Sequence, residues 1–432
     1  MVGDQRRPVF LKSKTLDIAA SRERTDRWVV VLLGFLLQAT SLGFGRFAYT
    51  VILPGMKSDL GFSHTQMGLL QTGIVTGYLL FAYLGGLLAY RWTLVRMINL
   101  SVLACGLAMI GLGLVTPFWF LFVLALIIGA GASGAYVPLV SLIVGWFSSQ
   151  KSGLPLGIAF SGCGVGIIWV GTFVPFLLAD GGPSAWRTSW ISLGAMTSTV
   201  ALISFLFLKE RPKGVENEVS KPVLRSGPFG TWRFLSRDHS VRMILLIYFL
   251  VGLAYIMFAT FFVTYAVEEV SVRGAEAGFM WSMFGIFSVL GCFLWGTVSD
   301  RFGRRQTMNW DLSILSASTF LSVFWVTRVG LYVSVLLFAF AFNGFITLIA
   351  AMFGDLVETA RLGEIFGLST LIHGLGMVVG ASLAGYLRDV TSTFRVPFFL
   401  SGFIVSCCFF MFLLGNKKNR SGFNLRPFPG GL

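Results

Sequence analysis

The sequence predicts an all-α integral membrane protein whose twelve transmembrane helices form two pseudo-symmetric six-helix bundles. Three observations predict it: an apolar composition, a recurring apolar segment about as long as a bilayer is thick, and an internal repeat. Of the 432 residues, 55% are hydrophobic and 12% are charged. A soluble domain carries about a quarter of its residues charged, so much of this surface must face lipid.

Apolar segments of about twenty residues, each long enough to cross the hydrocarbon as a helix, lie near 28–54, 66–90, 96–115, 118–148, 153–179, 187–208, 241–267, 274–299, 306–327, 329–354, 362–387 and 395–415. Between the sixth and seventh lies a charged, proline-containing stretch beginning Lys209-Glu210-Arg211-Pro212. The expected organisation is a cytoplasmic tail over 1–27, a bundle over 28–208, a cytoplasmic linker over 209–240, a bundle over 241–415 and a cytoplasmic tail over 416–432. Within the linker, a surface helix is expected near Phe229-Gly230-Thr231-Trp232-Arg233-Phe234.

The halves repeat with an offset of 210 residues. Gly153, Gly157, Gly164 and Gly166 map to Gly363, Gly367, Gly374 and Gly376, while Gly68 maps to Gly278, Asn99 to Asn309 and Gly134 to Gly344. One offset shared across several helices points to duplication, and parallel halves with an even helix number suit a transporter architecture. The glycines of the fifth and eleventh segments lack a preceding strand, so close helix packing is expected of them rather than nucleotide binding.

The formal net charge is +14. Its placement argues against a nucleic-acid binder. Lys and Arg concentrate in the tails, the linker and one set of loops, whereas the opposite set holds Lys57, Arg187, Arg273, Arg328, Arg388 and Arg395. That bias places both termini in the cytoplasm, in a multi-pass protein of the inner membrane. Residues 1–27 are polar, and no cleavable signal peptide is expected. Cys105, Cys163, Cys292, Cys407 and Cys408 all fall in apolar segments and read as packing residues. No metal site is expected from them or from His64, His239 and His373. No phosphate-binding loop of the P-loop type occurs, so no nucleotide, other cofactor or enzymatic activity is expected.

After the eighth segment the chain reads Gly296-Thr-Val-Ser-Asp300-Arg301-Phe-Gly303-Arg304-Arg305. This resembles the loop signature G-x-x-x-D-R-x-G-R-R of the major facilitator superfamily at every defined position. The resemblance implies a gating network, with Asp311, Asp355, Glu358 and Glu364 as candidate partners of its arginines. The first copy, Gly86-Leu-Leu-Ala-Tyr90-Arg91-Trp-Thr93, has tyrosine where aspartate is expected. Trp186-Arg187 resembles another element of the superfamily. Gly43-Phe-Gly-Arg46-Phe-Ala-Tyr49-Thr50 with Leu53-Pro54 resembles the first helix of the bacterial YbfB/YjiJ-like subgroup. There is a looser likeness to monocarboxylate-type carriers.

The resemblance implies secondary active transport of a small organic solute by alternating access, with the site between the halves and a monomer competent to function. Protons or a counter-substrate would supply the energy. Arg46 leads the candidates, because an ionisable group inside a span is costly unless it serves a purpose and a guanidinium can grip a carboxylate bidentately. Gln38, Leu42, Arg46 and Tyr49 share one face at α-helical spacing. His373 is the candidate proton carrier; alternatively it is a neutral ring bonded to a neighbouring helix. Gln71, Tyr136, Tyr255 and Asn343 join the expected substrate set, with Tyr78, Ser133, Trp169 and Trp281 behind them. All acidic residues are expected in tails, loops or near helix ends, with Asp311 the deepest. That favours an anion such as a monocarboxylate over a cation. Efflux of drugs, sugars or amino acids and a non-transporting sensor are the rivals.

Overall fold

The computed structural model describes residues 25–88, 92–180, 182, 184–210, 239–356 and 359–418. Its elements are twelve helices: α1 (Thr25–Leu60), α2 (His64–Leu88), α3 (Leu94–Leu114), α4 (Phe118–Lys151), α5 (Gly153–Asp180), α6 (Ala185–Phe207), α7 (His239–Glu268), α8 (Gly274–Phe302), α9 (Arg304–Phe324), α10 (Arg328–Leu356), α11 (Thr359–Thr391) and α12 (Arg395–Lys418). No strand occurs among the described residues. In lipid the backbone must satisfy its own hydrogen bonds, and a helix does so within one segment. Over the described residues, ten of these helices are long and apolar enough to cross a membrane. α9 is not among them, because its buried face is polar: Thr307, Asp311, Ser316, Ser318, Thr319 and Ser322. The expected surface helix of the linker lies outside the described residues, as do residues 1–24 and 419–432 of the expected tails; Thr25–Arg27 and Asn416–Lys418 are helical and continue α1 and α12.

Short breaks separate the helices. Gly61 ends α1 at φ 65°, in the left-handed region where a side chain is strained. Thr93 caps α3 by accepting the Arg96 N–H.

The repeat is visible in the packing. α2 packs on α4 and α3 on α6 in the first half, as α8 packs on α10 and α9 on α12 in the second. Between the halves, α2 meets α11 and α5 meets α8. These two seams are mates in detail. Thr72 Oγ1 donates to the Val378 carbonyl at 2.9 Å, and Ser282 Oγ, one repeat later, donates to Ile168 at 3.0 Å. Gly374 faces the Leu79 side chain, and Gly164 faces its mate, Val289.

Both seams lie toward the end where α1 meets α2. Toward the other end, which carries the Asp300–Arg305 loop, a Cβ added at Gly153, Gly157 or Gly367 would meet nothing within 4 Å. Close packing was expected of these three glycines. It holds for Gly164, Gly166, Gly374 and Gly376 but not for them, because among the described residues the close approaches of the halves lie toward the other end.

Candidate functional site

Arg46 lies in α1 between the halves. Immediately before it, Ala39–Phe44 adopt a π-helix. Small residues permit the local widening: Gly43 passes the backbone of Gly166 on α5, where a Cβ would lie 2.8 Å from the Gly166 Cα. The i→i+5 bonding breaks the α-helical register. The common face expected for Gln38, Leu42, Arg46 and Tyr49 spans this turn, and the exposures of its members differ. Gln38 is fully buried, and neither amide atom finds a hydrogen-bond partner. Arg46 is only partly buried.

The Arg46 guanidinium donates from Nη2 to Met377 Sδ at 3.4 Å, on α11 of the other half. It also sits 5.4 Å from the Tyr78 ring centre and 5.6 Å from that of Phe47, within cation–π range. Its charge acts on Tyr78, Cys163, Tyr248, Tyr255 and His373, and so reaches α2, α5, α7 and α11. Among the described residues no carboxylate pairs with it.

His373 lies one turn before Met377. Its Nδ1 is 2.8 Å from the Tyr248 carbonyl, an acceptor, so Nδ1 carries the hydrogen and Nε2 is left as an acceptor. The ring stacks on Tyr248 at 4.4 Å between centroids. That geometry suits a neutral imidazole.

The other expected residues divide. Tyr136 is partly buried against Phe160 and interacts with Tyr78, Cys163, Tyr248 and Cys292, which puts it on the same central space. Gln71 is buried, with Oε1 unpartnered. Asn343 is partly buried. Its repeat mate Ser133 is buried, with a hydroxyl that has no partner. Tyr49 is buried, and its hydroxyl donates to the Met67 carbonyl at 2.6 Å. Tyr255 is buried and its ring stacks on Phe342, with Phe338 beside the pair. Trp281 is buried and donates to the Phe47 carbonyl across the halves at 3.2 Å. Trp169 is exposed and stacks on Phe173.

In the motif loop, Asp300 pairs with Arg304 across one turn. Gly303 separates α8 from α9 at φ 87°, a conformation that favours glycine. Arg301 lies over the Phe302 ring, and Gly296 leaves room beside Thr347. Arg305 is partly buried in the first turn of α9. Asp311 does not serve as the partner expected of it. It is fully buried in α9, with both oxygens lacking hydrogen bonds. The side chains of Asp355, Glu358 and Glu364 lie outside the described residues.

Trp186 and Arg187 clamp the end of α1. Trp186 Nε1 donates to Asp59 at 2.7 Å, and Arg187 lies 3.8 Å from the same carboxylate. Sequence reading missed Asp59, and it missed the charged cluster around His64, Glu268 and Asp389, whose members are remote in the chain.

Residues 38–413 match the family described as "Uncharacterised MFS-type transporter YbfB". The chain belongs to this family. It is a multi-pass membrane transporter of the major facilitator type, of a kind that moves small organic solutes. It is 23% identical over 406 residues to the hexuronate transporter of Bacillus subtilis (strain 168), covering 87% of this chain and 92% of that one. Identity to monocarboxylate transporter 12-B of Danio rerio is 25% over 309 residues, 65% of this chain and 64% of the other. The nucleoside transporter NupG has the same fold at a TM-score of 0.76 and 14% identity, over 91% of this chain and 99% of its own. A bacterial homologue of the lysosomal transporter Spinster, in an inward-facing unoccupied conformation, superposes with a TM-score of 0.74 at 17% identity, over 91% and 97%.

Proposed function

We propose that this transporter carries a small organic anion, with a carboxylate as the group recognised, across the plasma membrane by alternating access. The observation that carries the proposal is Arg46. It holds a permanent positive charge at the meeting of the halves, and its partners are a thioether and two aromatic rings. None of these neutralises it. A solute carboxylate would do so with paired hydrogen bonds. The names of several relatives, which refer to hexuronate, monocarboxylates and sulfoacetate, agree with an acidic solute.

In this proposal residues 28–208 and 241–415 are the two rocking bodies, and the linker, both tails and the Asp300–Arg305 loop are cytoplasmic. Tyr136, Gln71 and Asn343 offer polar groups to the solute, with Gln38 and Ser133 behind them. The hydroxyl of Tyr49 and the ring of Tyr255 shape the wall. His373 presents Nε2 as an acceptor near Arg46, suited to a solute hydroxyl. Proton coupling through His373 is tested by His373→Gln, which should keep counterflow and lose accumulation driven by a pH gradient.

The deciding experiment is binding and flux with purified protein, using an organic-anion series beside neutral sugars and amphipathic cations. Arg46→Gln should weaken anion binding by about 2–5 kcal/mol, about 30-fold or more, without lowering the melting temperature. Arg46→Lys should recover only part, because the fork is lost. Unchanged anion transport by Arg46→Gln would remove Arg46 from the site.

A further inference from the structure

At the end of the bundle away from the motif loop, the halves are joined by charge. His64 opens α2. Its Nδ1 lies 2.9 Å from Asp389 Oδ1 on α11, and its Nε2 lies 3.0 Å from Glu268 Oε2 on α7. Both acids belong to the other half. The ring is buried, with its side chain 7% exposed, edge-on to Phe394 at 5.2 Å and tilted to Phe261 at 6.5 Å.

Each of these two contacts needs a hydrogen. A neutral imidazole supplies one N–H. The acids are not its source, because Asp389 accepts at both oxygens and the cations Lys57 and Arg388 face Glu268 and favour its carboxylate form. Asp389 receives the His64 backbone N–H at 3.1 Å, the Thr65 N–H at 2.8 Å and the Thr65 hydroxyl at 2.6 Å. Glu268 receives Lys57 Nζ from α1 at 3.1 Å, and Arg388 Nη2 lies 3.7 Å away. Glu269 accepts the Phe394 N–H at 2.6 Å and the Thr393 hydroxyl at 2.8 Å, beside Arg388 Nε at 3.5 Å. The exposed Arg395 acts on Tyr265, as does Glu269. With every facing carboxylate engaged as an acceptor, the second hydrogen sits on the ring of His64.

We propose that His64 is a proton-binding site, and that closing this end of the transporter takes up one proton from the water on that side. The proposal rests on alternating access and on the motif loop being cytoplasmic. When the halves part, His64 leaves both acids together. An imidazole in water is mostly neutral above about pH 7. Closure must then bring in a proton, so acid on that side populates the form open toward the motif loop. The bias is complete at low pH, where the separated ring is already protonated, and fades as pH rises.

The native thiols report the conformation without any solute. Cys292 on α8 is exposed, its Sγ 3.9 Å from the Asn343 carbonyl. Inverted vesicles carrying the full chain are treated with an impermeant maleimide at constant outer pH, while the lumen is set between about pH 5.5 and about pH 8. Wild type should label about fivefold faster or more at the acid end. His64→Gln should label slowly and His64→Arg fast, both without response to lumen pH. Asp389→Asn, which keeps an acceptor oxygen, should move the response to lower pH. A pH response that survives in His64→Gln overturns the proposal. So does slow, flat labelling in both His64 variants, the result of a merely structural ion pair. Because no anion is present, the outcome is independent of whether Arg46 binds one.

Discussion

Arg46 and Tyr49 stand three residues apart in α1 and are used differently. The Tyr49 hydroxyl bonds a backbone carbonyl of α2, whereas Arg46 meets only soft and aromatic partners. Tyr49→Phe should therefore cost about 1 kcal/mol in stability, as read by thermal unfolding in detergent. Asp311 behaves in the opposite sense. A buried carboxyl without hydrogen bonds opposes folding, so Asp311→Ala should raise stability by about 1–2 kcal/mol. A fall in melting temperature would show that the carboxyl has a partner. Arg46 was legible in the sequence because a charge in an apolar run stands out. Asp311 was legible as an acid, but its full burial was not, since that depends on how α9 turns against α8, α10 and α12. The His64 cluster was not legible, because folding brings together residues of α2, α7 and α11 that no spacing rule connects.

Among the elements, the helices followed from apolar length and the duplicated halves from the 210-residue offset. The offset was readable because paired positions make paired contacts, as Thr72–Val378 and Ser282–Ile168 do. The π-helical turn at Ala39–Phe44 was not readable, for nothing in an apolar run of small residues distinguishes i→i+4 from i→i+5 bonding. The glycines of α5 and α11 look alike in sequence yet meet different surroundings. A Cβ at Gly166 would strike the Ala39 carbonyl, and one at Gly376 would strike that of Phe249. Gly166→Ala and Gly376→Ala should each destabilise by about 1–3 kcal/mol. Gly157→Ala and Gly367→Ala meet open space and should leave the melting temperature unchanged or raise it. If the halves close on these two glycines in the other conformation, the same pair will slow transport without loss of stability.

For the molecule as a whole, the two seams, α2 on α11 and α5 on α8, close one end, while toward the other Gly153, Gly157 and Gly367 meet open space. Thr72 Oγ1 and Ser382 Oγ lie 2.8 Å apart across the first seam, close to the separation a disulfide needs after a small adjustment. If transport requires this seam to open, Thr72→Cys with Ser382→Cys should form a disulfide under mild oxidation, abolish flux and recover it on reduction. The crosslinked protein should still expose Cys292 to a thiol reagent from the motif-loop side, because that end is already open. A crosslinked carrier that continues to transport would show that the halves need not part along α2 and α11, and would shift the moving boundary to the α5–α8 seam.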